Sequence, residues 1–177
     1  RDWIDSLEWM KSGTPDTGVD YYKSYDAREF TYPAGSYGIM GLWDAGHWIT
    51  FFAHRIPVTN PFQDNLGGPE GTAAFFLSVN ESQANSINGK LGGRYVVTDS
   101  KMAVDTFTNL VPWQSGSVDI SPYIKYFLVP DTNDVTNLKI THKFDEAYFQ
   151  TMVVRLHNFD GSMIYPGTVN YVRYEIR

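Results

Sequence analysis

Residues 37–50 read Tyr37-Gly38-Ile39-Met40-Gly41-Leu42-Trp43-Asp44-Ala45-Gly46-His47-Trp48-Ile49-Thr50, and the chain is organised around them. An acid and two tryptophans lie within residues 43–48, flanked by Gly38, Gly41 and Gly46. Asp44 is the only charged residue between Glu29 and Arg55, with His47 counted neutral. A carboxylate in so apolar a setting needs a partner, because burying it alone is costly or neutralises it. The glycines let the backbone turn tightly and let another group approach closely. The pattern suits a short ligand that offers a hydroxyl or amide to Asp44 and packs on indole. It equally suits a core segment in which each tryptophan N–H finds a nearby acceptor.

Outward from this stretch, composition narrows the choices. The 177 residues are enough for one domain with a proper core. Hydrophobic residues make up 42% and charged residues 19%, a globular rather than a disordered balance. Net charge is -6 and the sequence pI is about 5.1, which argues against a general phosphate-backbone binder; no nucleic-acid partner is expected. With no cysteine, disulfides and thiolate metal sites are excluded. No signal peptide and no run of about 20 apolar residues appears, since Asp44, His47 and the glycines break the most apolar region. The chain starts at Arg1 without an initiator methionine, so the expectation is a piece of something longer.

The periodicity predicts an α+β domain spanning residues 1–177, with helices mainly in the first two thirds and strands toward the C-terminus. Residues 3–12 read as a helix, with Trp3, Leu7 and Met10 at helical spacing, Asp2 as N-cap, and Gly13 and Pro15 as stops. Residues 16–36 read as a loop rich in tyrosine. The two prolines of residues 56–63 predict coil lying across the surface. Pro69 can open a short apolar helix through Leu77, and a second helix is expected over residues 81–88, closing at Gly89. Residues 94–98 read as a strand and Met102, Ala103, Phe107 and Leu110 as a helix, capped by Thr98 or Asp99 and stopping before Pro112. From Ile120 the pattern turns to β: residues 123–129 as a strand or short helix stopped by Pro130, a period-two run over 138–144, an apolar run over 148–156 and a last strand over 169–176.

Few motifs carry chemistry. Gly67-Gly68 lacks the spacing and lysine of a phosphate loop. Asp44 and His47 are three apart, but no third ligand is in sight and a metal needs three or more, so His47 reads as a structural hydrogen-bonding residue. Asn80-Glu81-Ser82 is an N-glycosylation sequon. Asp99 at a helix start is an ordinary N-cap and Met102 ordinary core filler.

Three dispersed segments nevertheless share a pattern. Trp43-Asp44 with Gly46-His47-Trp48-Ile49 resembles the WWDYG signature of the oligosaccharyltransferase catalytic subunit, the family of archaeal AglB, bacterial PglB and their eukaryotic counterpart. Residues 54–63 (HRIPVTNPFQ) and 149–162 (FQTMVVRLHNFDGS) are also similar to that family. Asp99 and Met102 fit the Asp-x-x-Met type of its second motif, which lies on a kinked helix; Thr106 departs from the lysine or aliphatic residue expected there. Leu42 stands where the family has its first tryptophan and Ala45 where it has tyrosine.

The resemblance implies transfer of a lipid-linked oligosaccharide to the asparagine of Asn-x-Ser/Thr. The metal, Mn or Mg, would be held by a membrane domain that also binds the lipid-linked oligosaccharide, with no metal and no catalytic residue in this segment. This segment would be the C-terminal globular domain on the extracytoplasmic face of the cell membrane, following the last membrane helix. Its partner would be the acceptor polypeptide, whose Ser or Thr hydroxyl would meet Trp43, Asp44, Asp99 and Met102, with Gly46 and His47 in support. Two other classes compete: a carbohydrate-binding module or glycoside hydrolase fragment using aromatics and paired acids, and a structural domain with no site.

Overall fold

Three short parallel strands place the Trp-Asp segment. In the computed structural model, residues 2–26, 28–131 and 136–163 are described. Strand β1 (Gly38–Met40) is central, with β2 (Ile56–Pro57) on one side and β3 (Gly93–Val96) on the other, both parallel to it. Parallel neighbours require crossovers, and the chain supplies helices for them. Helix α2 (Gly46–Phe51) lies between β1 and β2; α3 (Thr72–Leu77) and α4 (Glu81–Lys90) lie between β2 and β3. A strand covered on both faces carries no polar alternation, and β1 is buried throughout.

The prolines at 57 and 61 do not make residues 56–63 simple coil. Ile56 and Pro57 pair with Gly38 and Ile39, and the Val58 N–H donates to Ile39 O at 2.9 Å. Pro57 is tolerated because β2 is an edge strand, where a missing N–H leaves no ladder bond unmade.

Helix α1 (Asp2–Gly13) forms where its periodicity predicts, with Asp2 inside it rather than capping it. It buries Leu7 and Met10 against Tyr37, Ile39, Ile49 and Ala53. A larger core joins Leu66 and all of α3 to Phe107, Leu110, Met152, Val153 and Val154. Helix α3 starts at Thr72, so Pro69 stays in the preceding turn. Helix α4 runs past the expected stop at Gly89 to Lys90 and is capped by Asn80, whose side chain accepts from Gln83 N–H at 3.1 Å.

After β3 the helix is not continuous. Residues Lys101–Asp105 form a wide π turn, and Thr106 separates it from α5 (Phe107–Ser115). Helix α5 does not stop before Pro112 but carries it inside. The ring has no N–H for the carbonyl four residues back, yet burial of Phe107, Leu110 and Val111 holds the helix across that gap. The apolar run at 148–156 is also helical, forming α6 (Glu146–Gln150) and α7 (Met152–Asn158). A short apolar run does not by itself separate buried strand from buried helix.

Strands β4 (Ile124–Pro130) and β5 (Leu138–Phe144) pair antiparallel from Ile124↔Phe144 to Pro130↔Leu138; β5 lies where its alternation predicts, and residues 124–129, open between strand and helix, are strand with Pro130 as its last residue. Helices dominate the first two thirds and this hairpin follows them, so the α+β class holds. The expected strand at 169–176 lies outside the described residues. Among the described residues no helix is long and apolar enough to cross a membrane.

Candidate functional site

Asp44 sits on a single 3-10 turn (Trp43–Ala45) between β1 and α2. The turn sets the face that each residue presents. Leu42, Ala45, Gly46 and Ile49 are buried, while Asp44, His47, Trp48 and Phe51 are exposed, at the three- and four-residue intervals of a helix. Gly46 permits this. A β-carbon there would lie 2.5 Å from Thr59 O and 2.6 Å from the Asn60 backbone, so only glycine lets α2 pack beneath that segment. Asp44 is therefore not sunk among indoles, as its apolar neighbours imply. Its side chain is 48% exposed, and its partner is Lys101, whose Nζ is 3.3 Å from Oδ2. Water solvates the rest of the carboxylate, which removes the cost expected of burial. Among the described residues no hydrogen bond engages Asp44 Oδ1 or the indole N–H of Trp43 or Trp48.

Asp99 is placed differently. It follows β3, and both oxygens are occupied: Oδ1 accepts from Met102 N–H at 2.6 Å and Oδ2 from Trp3 Nε1 at 2.8 Å. The first bond is the expected cap. The second ties α1 to the start of the π turn across 96 residues of chain. That tie fixes the turn from which Lys101 reaches Asp44, itself 57 residues away.

Trp3, Asp44, Ala45, Trp48, Asp99 and Lys101 together line a hollow of about 410 Å³. A broader hollow of about 930 Å³ adjoins it through Trp48 and is walled by Tyr21, Tyr22, Phe51 and Phe52. Two residues picked from sequence stand behind the smaller hollow rather than in its lining. Met102 is wholly buried in the larger core and joins through its backbone N–H, and Trp43 is partly buried against the same core. His47 is exposed with its ring 5.5 Å from that of Phe62, edge to face. Among the described residues no three His, Asp or Glu side chains converge on a metal position.

Sequence reasoning missed four lining residues, Trp3, Ala45, Trp48 and Lys101. Trp48 and Ala45 belong to the Trp-Asp signature, Lys101 lies between Asp99 and Met102, and the helical spacing from Asp44 to Trp48 is a usable signal. Nothing local to Trp3 announces its bond to Asp99.

Comparison with known proteins adds a family. Residues 1–103 match the model of the AglB core domain, described as AglB core-like. The chain is 33% identical to dolichyl-phosphooligosaccharide-protein glycotransferase 3 of Archaeoglobus fulgidus, over 92% of its own length and 22% of the relative's. It is 33% identical to the dolichyl-monophosphooligosaccharide-protein glycotransferase AglB of Haloferax volcanii, over 90% and 17%. The chain thus spans about a fifth of the length of these relatives. A solved oligosaccharyltransferase of Archaeoglobus fulgidus, tethered by a disulfide to an acceptor peptide containing an NVT sequon, superposes with a TM-score of 0.76 at 31% identity, covering 92% of this chain and 22% of that one. AglB of the same organism with an inhibitory peptide and a dolichol-phosphate gives 0.76 at 30%, with the same coverage. The oligosaccharyltransferase with Zn and sulfate gives 0.75 at 31%, covering 92% and 24%.

Proposed function

The chain belongs to the AglB core-like family, and from that premise we propose that it is the acceptor-recognising globular part of an archaeal-type oligosaccharyltransferase. In this reading residues 1–177 are one C-terminal domain of a longer membrane enzyme and stand on the extracytoplasmic side. The longer protein transfers a lipid-linked oligosaccharide to the asparagine of Asn-x-Ser/Thr. Its Mn or Mg and its lipid-linked substrate are held by residues outside this chain. Relatives solved with an NVT acceptor peptide and with a dolichol-phosphate support both partners.

One observation carries the reading for this chain's own residues. Asp44 keeps an unengaged oxygen at the rim of a hollow walled by indole. A Ser or Thr hydroxyl both donates and accepts. It would donate to Asp44 and accept from the N–H of Trp48, while Lys101 orients the Asp44 carboxylate. Threonine's methyl would rest on Ala45 and the Trp48 ring. Met102 shapes the floor from behind, Asp99 holds the turn that presents Lys101, Gly46 permits the close packing, and His47 borders the rim. Because Asp44 is half exposed, replacing the acceptor hydroxyl with hydrogen would cost about 1.5 kcal/mol, the low end for a hydrogen bond to a charged group rather than the cost of a stranded buried charge. The glycosidase alternative fits less well, since both oxygens of Asp99 are already filled and leave it no acid-base role beside Asp44.

The test is photo-crosslinking of an Asn-x-Thr peptide to the full-length enzyme. Labelling should map to residues around Asp44 and Trp48 and fall with Asp44→Ala. Equal labelling of both proteins refutes the reading.

A further inference from the structure

Asn80-Glu81-Ser82 is the only Asn-x-Ser/Thr triplet in the chain, and no role in the hollow beside Asp44 accounts for it. Asn80, Glu81 and Ser82 are all exposed, as are Val79 and Gln83 on either side. Asn80 has extended backbone (φ -104, ψ 121) and caps α4 with its carbonyl oxygen alone. Among the described residues no hydrogen bond engages its Nδ2. Glycosylation alters only that nitrogen. A sugar on Nδ2 leaves Oδ1 free to keep accepting from Gln83 N–H, so the modified residue still caps the helix.

We propose that Asn80 is itself an N-glycosylation site, taking an oligosaccharide from a lipid-phosphate donor. The Nδ2–C1 glycosidic bond forms and the C1–O bond to the lipid phosphate breaks. Nδ2 gives up one proton, and the phosphate leaves with the bonding electron pair. The proposal rests on the outward placement of the domain proposed above, not on the role of Asp44.

The fold also sets the order of events. Ser82 is already wound into the first turn of α4, and the Asn80 side chain is turned onto that turn to accept from Gln83 N–H. A site that must hold the Asn80 amide and the Ser82 hydroxyl together cannot grip them in that form. Glu81 is further held by its ion pair with the buried Arg155. Transfer therefore precedes the winding of α4, and the finished fold is a poor acceptor.

Mass spectrometry of the full-length protein from its native cells decides the matter. Trypsin releases residues 56–90 as one peptide containing this single sequon. That peptide should carry a glycan mass, and Asn80→Asp, which keeps a capping oxygen, should abolish the mass while leaving the melting temperature of the unglycosylated protein unchanged. A peptide found wholly unmodified overturns the proposal. A synthetic peptide of residues 76–86 should be glycosylated at least about tenfold faster than the folded, unmodified protein, since a barrier difference of about 1.4 kcal/mol gives that ratio; equal rates overturn the order of events. An unrelated Asn-Val-Thr peptide serves as control. Its failure to react would count against the acceptor-recognition reading, whereas its modification without that of 76–86 would count against Asn80.

Discussion

Asp44 and Arg55 lie eleven residues apart on one segment, at either end of α2, and the protein treats them in opposite ways. Arg55 is buried, with 4% of its surface exposed. Its guanidinium donates to Thr14 Oγ1 at 2.8 Å, Thr14 O at 2.7 Å, Lys11 O at 3.0 Å, Ala53 O at 3.4 Å and His54 O at 2.6 Å. It staples the C-terminal end of α1 to the turn after α2. Asp44 has one long contact to a lysine that is itself 56% exposed. A charge with every bonding direction filled by its own chain is structural. A charge with unused capacity at the rim of a hollow is available to a ligand. Both look alike in sequence, as isolated charges among apolar residues.

The contrast can be broken by experiment. The largest effect is expected from Arg55→Ala, which strands several buried carbonyls and should cost about 3 kcal/mol of stability, read by urea denaturation of the domain. A loss under about 1 kcal/mol would mean that the staple is not structural.

Asp44→Ala should do the reverse. Stability should shift by less than about 0.5 kcal/mol, because an exposed pair contributes little, while acceptor-peptide affinity of the full-length enzyme should fall about tenfold. A stability loss matching that of Arg55→Ala, with affinity unchanged, would erase the distinction.

Asp99→Ala sharpens it. Losing the Met102 cap should cost about 1 kcal/mol, and the Trp3 bond goes with it. Affinity should fall less than for Asp44→Ala, because Asp99 acts through Lys101. Double-mutant analysis of Asp99→Ala with Lys101→Ala should therefore show non-additive affinity losses.

The smallest effect concerns His54, beside the Arg55 end. Burial first, then the charges of Lys11 and Arg55, lower its pKa from the ordinary 6.5. The unfolded chain thus takes up a proton at higher pH than the fold does, so stability present above pH 6.5 declines as pH drops below it. His54→Gln should flatten that part of the stability profile. An unchanged profile would show that His54 is not the group responsible.

The Asp44 face was more legible than it looked. Leu42, Ala45 and Ile49 recur at helical spacing, and reading that period turns Asp44 and Trp48 outward together. Emphasis on the apolar neighbours pointed to burial instead, because average polarity carries no direction. The hairpin shows the same limit from another side. Alternation located β5, yet Ile140 and its partner Leu128 on β4 are both exposed. The run at 148–156 was misplaced because its period does not separate strand from buried helix.

Sequence alone determined what depends on near neighbours. It set α1 through the spacing of Leu7 and Met10, the Asp99 cap on Met102 three residues on, and the signature around Trp43 and Asp44. Such bonds close short loops and form in whatever fold contains them. Tertiary structure alone decided that Trp3 meets Asp99, that Lys101 meets Asp44, and that Met102 and Trp43 stand behind the hollow. Each of these contacts joins distant stretches of chain, and no local rule constrains which ones meet. They exist because the parallel sheet and its crossovers bring β1, α1 and the π turn to one edge, where packing settles which side chains face each other.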